Sequence, residues 1–125
     1  MANQVGTIVW NELNTHDIEG AKAFYGALLG WTYSVEGPHN YLVANKDGTP
    51  VAGFFDLSEL ENSESIPSSW LMYIETSDIE SAVEKALASG GTSLRPPFTI
   101  SGVGQIAIIM DGAGACFGLI QSQNQ

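Results

Sequence analysis

The sequence predicts an α+β domain made of two copies of one unit, in which a strand is followed by a helix and three more strands. An internal repeat carries this prediction, because Thr15–Ala21 (THDIEGA) returns 61 residues later as Thr76–Ala82 (TSDIESA). The same offset pairs Gly30 with Gly91. In both copies the hydrophobic pattern changes to helical spacing at the motif. Two such units can enclose a cleft between them, and small molecules bind in clefts.

The first copy begins with a strand at residues 5–14 (VGTIVWNELN), in which Trp10 and Glu12 share one face. A helix follows, because apolar residues then recur at helical spacing until Gly30, a residue typical of helix C-caps. Asp47-Gly48 is a strong hairpin-turn signal. Three short strands are predicted after the helix, at residues 31–35, 41–44 and 50–57.

The two modules meet in a polar and acidic stretch, residues 58–69 (SELENSESIPSS), whose composition is typical of an exposed connector. The first module covers about residues 5–57 and the second about residues 70–121. We expect both to belong to one domain, 1–125, because a chain of 125 residues suffices for one hydrophobic core.

The second copy repeats the order of elements. Ser77 and Glu80 fit a capping box at the start of its helix, and Gly90-Gly91 ends that helix. Pro96-Pro97 is expected to interrupt the strand that comes next. The strands of this copy are predicted at residues 70–75, 93–100, 104–110 and 115–121.

The net charge and the cysteine content limit which partners and which cellular compartment we expect. Fourteen acidic residues against four basic ones give a net charge of −10, which repels nucleic acid and anionic lipid surfaces. The single cysteine, Cys116, excludes an intramolecular disulfide and is expected to be a buried structural thiol. No apolar stretch approaches the roughly twenty residues of a membrane span, and the first residues lack a signal-peptide pattern. We therefore expect a cytoplasmic protein with neither nucleic-acid nor membrane partners.

Three segments together resemble the vicinal oxygen chelate superfamily, which holds glyoxalase I, bleomycin-resistance proteins and extradiol dioxygenases. They are Asp17–Trp31 (DIEGAKAFYGALLGW), Asp78–Gly91 (DIESAVEKALASGG) and Asp111–Leu119 (DGAGACFGL). The resemblance covers nearly the whole chain. It implies two tandem βαβββ modules whose sheets curl into an open eight-stranded barrel, a binding site on the concave side, and a homodimer.

Enzymes of this superfamily typically hold a divalent metal with His and Glu side chains from the first and last strands of each module. The resemblance carries these positions onto Trp10, Leu71, Gly118 and Phe54. None of the four side chains offers a lone pair to a metal ion. We therefore expect no metal and no other cofactor. An improvised metal site remains an alternative, with Glu12, His16, His39 and Glu75 as its candidate ligands.

Without a metal, the side chains that line the cleft suggest the function. Apolar and aromatic residues are expected there, and they suit a planar or amphipathic small molecule. Glu12 is the candidate polar anchor, or the general base if the protein catalyses a reaction. The expected ligand-binding residues are Trp10, Asn14, Tyr41, Phe54, Leu71, Tyr73, Glu75 and Phe98.

Three functions follow from this lining. The first is a small-molecule binding protein in the manner of the bleomycin-resistance proteins. The second is an enzyme, either a glyoxalase-type lyase or isomerase or a dioxygenase-like protein, with an improvised metal or with Glu12 as base. The third is a structural or interaction domain, because aromatic residues in strands often only fill a core.

Overall fold

The computed structural model describes residues 3–37, 40–100 and 102–123. Strand, helix and three strands follow one another twice along the chain, which confirms the predicted order. The first module consists of β1 (Ile8–Thr15), α1 (Ile18–Leu29), β2 (Thr32–Glu36), β3 (Tyr41–Lys46) and β4 (Thr49–Asp56). A short 3₁₀ helix (Leu57–Glu59) follows. The second module consists of β5 (Ser69–Glu75), α2 (Ile79–Ala88), β6 (Thr92–Ile100), β7 (Gly104–Met110) and β8 (Cys116–Ser122).

The strands form a mixed eight-stranded sheet in the hydrogen-bonded order β2-β3-β4-β1-β5-β8-β7-β6. The first and last strands of each module, β1 with β4 and β5 with β8, pair in parallel. The other strand pairs within each module are antiparallel. The sheet is open, because β2 and β6 end the order. The predicted α+β class with two βαβββ modules is therefore confirmed.

The chain divides into two compact units. The central unit is Trp10–Leu71, and the terminal unit combines the residues up to Val9 with those from Met72 onward. Backbone pairing holds the N-terminal segment in the terminal unit, where the Glu75 N–H donates to the Thr7 carbonyl at 2.9 Å.

The repeated aspartate of the motif is the N-cap of each helix. The Asp17 carboxylate accepts the Gly20 N–H at 2.9 Å, and the Asp78 carboxylate accepts the Ser81 N–H at 3.2 Å. The predicted capping box led by Ser77 is therefore wrong by one residue. A carboxylate at this position also interacts favourably with the positive end of the helix dipole.

The first helix ends as predicted. Gly30 adopts the left-handed conformation (φ 73°), and its N–H donates to the Gly26 carbonyl at 2.9 Å. This conformation is strained for a residue with a Cβ, which explains the glycine. Within the described ranges, no helix is long and apolar enough to cross a membrane.

Each unit has its own hydrophobic core, on the face of the sheet that its helix covers. In the central unit, α1 packs Ile18, Ala21 and Tyr25 against the buried Leu13, Ala44, Ala52 and Phe54. In the terminal unit, the buried core residues are Ile79, Val83, Ala107, Ile109 and Leu119. The opposite face of each sheet is not part of these two cores.

Two local expectations from the sequence are wrong. Strand β6 continues through Pro96-Pro97, because a shift in its register with β7 between Arg95 and Phe98 accommodates the prolines. As an edge strand it also needs fewer N–H donors than a central strand. Cys116 is exposed rather than buried, at the start of β8.

The Asp111 carboxylate organises the turn between β7 and β8. Its Oδ1 accepts hydrogen bonds from the N–H groups of Ala113 at 2.9 Å and Ala115 at 3.0 Å. Backbone hydrogen bonds, that of Ala115 first and that of Ala113 second, lower the pKa of Asp111 below its ordinary 3.8. The ionised carboxylate therefore stabilises this turn.

We expect Asp111→Ala to lower the free energy of unfolding at neutral pH, because two N–H groups lose their acceptor. Since the pKa of Asp111 is lowered in the folded state, its contribution is full above the unfolded pKa. It is lost as the pH falls through the folded pKa, below about 4. Urea unfolding from neutral pH down to about pH 2.5 measures this loss.

Asp111→Asn is the matched control for that experiment, since its amide oxygen can accept the same hydrogen bonds but does not titrate. This variant should lose less stability with acid than the wild type. The same acid dependence in both proteins would contradict a stabilising role for the ionised form.

Candidate functional site

A tryptophan, a tyrosine and a glutamate form a hydrogen-bonded cluster on the face of the central unit's sheet opposite α1. The Trp10 Nε1–H donates to the Tyr41 hydroxyl oxygen at 3.1 Å. The Tyr41 hydroxyl donates in turn to Oε2 of Glu12 at 2.6 Å, a short hydrogen bond of the charge-assisted kind. All three residues are half-buried. We call Trp10, Glu12 and Tyr41 the aromatic–carboxylate cluster.

Gly53 on β4 provides the space for this cluster. It pairs with Glu12 on β1 and with Val43 on β3. Tyr41 lies two residues before Val43 and therefore on the same face. A Cβ at Gly53 would overlap the Tyr41 hydroxyl and ring, so the phenol can lie across β4 only above a glycine. Gly53 is not among the residues predicted for the site, although a glycine inside a predicted strand often marks such a close approach.

Two further predicted site residues belong to the central unit. Asn14 is half-buried and lies two residues after Glu12, on the same face of β1. Leu71 is buried on β5, as the last residue of the unit.

Phe54 lies on the opposite face of the central unit's sheet from the one predicted. It pairs with Leu13 rather than with Glu12, and it is packed in the core beneath α1 with 2% of its surface exposed. Gly53 occupies the place on the cluster's face. The expected position was wrong by one residue, and in a strand one residue exchanges the two faces.

The remaining predicted site residues, Tyr73, Glu75 and Phe98, share the face of the terminal unit's sheet opposite α2. Cross-strand pairing arranges this face in two rows. The first row is Arg95, Ile108, Gly118 and Tyr73, and the second is Phe98, Ile106, Ile120 and Glu75. Tyr73 lies over Gly118, where a Cβ would overlap its ring, so a tyrosine above a last-strand glycine occurs in both units.

The Glu75 carboxylate is buried and hydrogen-bonded to the two ends of the described chain. Its Oε2 accepts the Ser122 N–H at 2.8 Å. Its Oε1 accepts the Ser122 hydroxyl at 2.5 Å and the Asn3 side-chain amide at 3.1 Å. These donors compensate for the removal of the carboxylate from water. Through these hydrogen bonds Glu75 links β8 and the N-terminal segment to β5.

On the α1 side of the central unit's sheet, Tyr33 has a raised pKa. Burial, and secondly the charge of Tyr25, raise the pKa of Tyr33 above its ordinary 10.0. Its hydroxyl donates to the Lys22 carbonyl at 3.1 Å. Tyr33 is therefore neutral at physiological pH and packs at the border of the core.

Two cavities of the terminal unit are lined by none of the residues predicted for the site. One, of about 470 Å³, is lined mainly by polar residues at the ends of β6, β7 and β8. The other, of about 150 Å³, lies between α2 and the β7–β8 turn. The aromatic–carboxylate cluster lines neither of these two cavities.

The sequence is similar to glyoxalase and bleomycin-resistance proteins. Residues 7–39 match the family described as bleomycin resistance protein-like N-terminal. The chain is 31% identical over 128 positions to CFP32 of Mycobacterium tuberculosis (strain CDC 1551 / Oshkosh), provisionally named a glyoxylase, covering 100% of this chain and 48% of that protein. It is 26% identical over 125 positions to the anthracycline biosynthesis protein DnrV of Streptomyces peucetius, covering 90% of this chain and 46% of that protein. The chain thus spans about half the length of these curated relatives.

Solved structures share the fold at low sequence identity. Protein BH1468 from Bacillus halodurans C-125 matches with a TM-score of 0.65 at 13% identity, over 98% of both chains. A methylmalonyl-CoA epimerase of Streptomyces coelicolor matches with a TM-score of 0.61 at 16% identity, over 96% of this chain and 99% of that one. A glyoxalase/bleomycin resistance protein/dioxygenase superfamily member from Vibrio splendidus 12B01 matches with a TM-score of 0.58 at 19% identity. The match covers 93% of this chain and 99% of that one.

The chain is a member of the vicinal oxygen chelate superfamily. Its described residues, however, do not fit the metal centre that is typical of enzymes in that superfamily. With the last-strand position of the first module corrected to Gly53, the four positions carried over from the family are occupied by Trp10, Gly53, Leu71 and Gly118, whose side chains have no metal-binding atoms. Across ranges 3–37, 40–100 and 102–123, no group of three or more His, Cys, Asp or Glu side chains could hold a metal ion.

The candidate ligands of an improvised metal site have other contacts. The carboxylates of Glu12 and Glu75 accept the hydrogen bonds described above. His16 is exposed, and its Nε2 lies 2.5 Å from the Ile66 carbonyl oxygen. His39 lies outside the described residues.

We expect Gly53→Ala to disrupt the cluster, because the added Cβ would displace the Tyr41 ring. Overpacking of this kind costs about 1–3 kcal/mol of unfolding free energy. Gly26→Ala is the matched control, since its Cβ would meet only ordinary contacts, the nearest at 3.6 Å. Urea unfolding gives the stabilities, and Tyr41→Ala should make Gly53→Ala much less costly in a double-mutant cycle. Additive costs would contradict the contact.

We expect Phe54→Ala to lower the unfolding free energy by about 3–5 kcal/mol, because it leaves a cavity beneath α1. Val35→Ala on β2 is the control, since Val35 is 61% exposed and its truncation should change stability by less than about 0.5 kcal/mol. Thermal or urea unfolding measures both. A loss at Phe54 no larger than that at Val35 would contradict its place in the core.

Proposed function

We propose that this protein binds a planar aromatic or amphipathic small molecule at the aromatic–carboxylate cluster and needs no metal to do so. The short hydrogen bond from Tyr41 to Glu12 carries the proposal. It holds a half-buried carboxylate in one orientation beside two aromatic rings. Ligand sites commonly combine such apolar surface with a few oriented polar groups.

The direction of the hydrogen bonds indicates what the ligand should offer. The Tyr41 hydroxyl has one proton, which it donates to Glu12, while its oxygen accepts the Trp10 N–H. Glu12 is therefore the hydrogen-bond acceptor of the cluster. A ligand that places an N–H or O–H group at this carboxylate and an aromatic ring on Trp10 would match both features.

A metal-free mode of binding is supported by the chemistry of the side chains. An indole, an isobutyl group and two glycines stand where the superfamily's metal ligands are expected, and the Glu75 carboxylate accepts hydrogen bonds from Ser122 and Asn3. Aromatic surface and hydrogen bonds are therefore the interactions left to hold a ligand.

A homodimer and a cytoplasmic location stay predictions. The homodimer is supported by the superfamily and by the length of the relatives, of which the chain spans about half. Two copies of this chain would have about the length of one such relative. Sedimentation equilibrium of the purified protein distinguishes a monomer from a dimer.

An enzyme is the second candidate. The Glu12–Tyr41 hydrogen bond favours it, because a half-buried carboxylate with an oriented partner is a reasonable general base. The fold is also that of methylmalonyl-CoA epimerase, which shows that it can support catalysis in that protein.

The first experiment is ligand binding to chelator-treated protein, measured by tryptophan fluorescence and calorimetry with a panel of planar aromatic compounds. We expect Trp10→Leu and Glu12→Gln each to weaken the affinity about tenfold, or ~1.4 kcal/mol. Trp70→Leu and Glu19→Gln are matched controls, because Trp70 is 43% exposed and contacts Tyr25, and Glu19 is exposed on α1.

Three results would decide between the candidates. Unchanged affinity in both cluster variants, or binding only after a metal is added, would contradict the proposal. Loss of turnover of a bound compound in Glu12→Gln with the affinity kept would favour the enzyme. Weaker affinity in both variants without any turnover in the wild type would favour the binding protein.

A further inference from the structure

Arg95 occupies its position only because β6 is irregular on both sides of it. Ser93 pairs with Ile109, and Arg95 pairs with the adjacent Ile108, so Leu94 is an extra residue. In a regular strand Arg95 would share the face of Ser93, on the α2 side. The bulge moves it to the opposite face, and bulges commonly re-aim a side chain in this way.

A second irregularity brings Phe98 beside Arg95. The two residues are three positions apart, so in a regular strand they would lie on opposite faces. Pro96-Pro97 supplies an extra residue, and Phe98 pairs with Ile106, two positions from the partner of Arg95. The Arg95 guanidinium carbon consequently lies 3.7 Å from the centroid of the Phe98 ring. Stacking of this kind holds the guanidinium in place.

The guanidinium of Arg95 has no hydrogen bond or ion pair to the residues that the structure describes, although the chain carries fourteen acidic residues. Of the other basic side chains, Lys22 lies 3.8 Å from the Glu19 carboxylate and Lys46 donates to the Leu29 carbonyl at 3.3 Å, whereas Lys85, like Arg95, has no ion pair among the described residues. The five N–H donors of the guanidinium lie in one plane in a fixed fork. These donors match the two oxygens of a carboxylate.

Apolar surface adjoins the stacked pair. Ile108 lies next to Arg95 in its cross-strand row, and Gly118 and Tyr73 complete that row. Neighbouring strands are about 4.8 Å apart, so Ile108 separates Arg95 from Gly118 by roughly 10 Å. Because the Tyr73 ring lies over Gly118, the apolar surface beside the pair is that of Ile108.

We propose that Arg95 and Phe98 form an anion-binding subsite for a small aromatic carboxylate. The carboxylate would accept two hydrogen bonds from the Arg95 guanidinium, and the aromatic part would lie on Phe98 and Ile108. The terminal unit alone forms this subsite, so it stands independently of the function proposed for the aromatic–carboxylate cluster. Its preference for a planar acid follows from the planar fork of arginine, which suits a carboxylate bidentately.

The test is binding of 1-naphthoate to the full chain, measured by calorimetry and by NMR chemical-shift changes. 1-Naphthamide has the same ring without the charge, and inorganic phosphate has the charge without the ring. We expect saturable naphthoate binding, with naphthamide and phosphate each at least about tenfold weaker. No saturable naphthoate binding, or equal binding of either comparison compound, would overturn the proposal.

Variants assign the binding to the stacked pair. Arg95→Gln should weaken naphthoate binding at least about tenfold, and Arg95→Lys should restore only part of it because lysine lacks the fork. Phe98→Leu should weaken it about three- to tenfold, with unfolding measured alongside because Phe98 is half-buried. Lys85→Gln, the same change of charge on α2, should leave the affinity within about twofold.

Two outcomes would separate this proposal from the earlier one. If Lys85→Gln weakened binding as much as Arg95→Gln, the effect would be one of net charge and the subsite would be excluded. If Trp10→Leu abolished naphthoate binding while Arg95→Gln did not, the compound would bind at the aromatic–carboxylate cluster. That result would overturn the Arg95 subsite and leave the proposed function standing.

Discussion

The parallel register between β1 and β4 is the constraint on which the central unit depends. It pairs Leu13 with Phe54 on the α1 side and Glu12 with Gly53 on the other. Because side chains alternate along a strand, a slip of one residue would bury the carboxylate and expose the core. The hydrophobic core and the aromatic–carboxylate cluster are therefore positioned by the same backbone hydrogen bonds.

The two modules keep one backbone plan but differ in chemistry. Each places a tyrosine ring over a glycine of its last strand, Tyr41 over Gly53 and Tyr73 over Gly118. In the central unit the tyrosine hydroxyl donates to a half-buried glutamate and accepts the N–H of a tryptophan. In the terminal unit, by contrast, Glu75 is buried and fastens the ends of the described chain. The internal repeat therefore preserved the fold while the polar groups took on separate roles.

The chain has fourteen acidic residues and only four basic ones, so its basic side chains have many possible ion-pair partners. Among the described residues, the guanidinium of Arg95 lacks an ion pair in a protein of net charge −10. Two bulges of an edge strand present it beside Phe98, where regular pairing would have turned the two residues to opposite faces. Edge strands tolerate bulges and prolines because one side of their backbone is unpaired. Local irregularity in this protein thus produces chemistry that a regular sheet would lack.

The sequence by itself determined the two βαβββ modules, the helix ends at Asp17 and Gly30, and the superfamily. Periodicity, caps and repeated motifs are local properties of the chain, so they can be read without coordinates. It also singled out Trp10, Glu12 and Tyr41 as site residues. Only the tertiary structure decided that they meet, that Phe54 belongs to the core, and that Arg95 stacks on Phe98. Those outcomes depend on strand register and bulges, which are set by hydrogen bonds between residues distant in sequence.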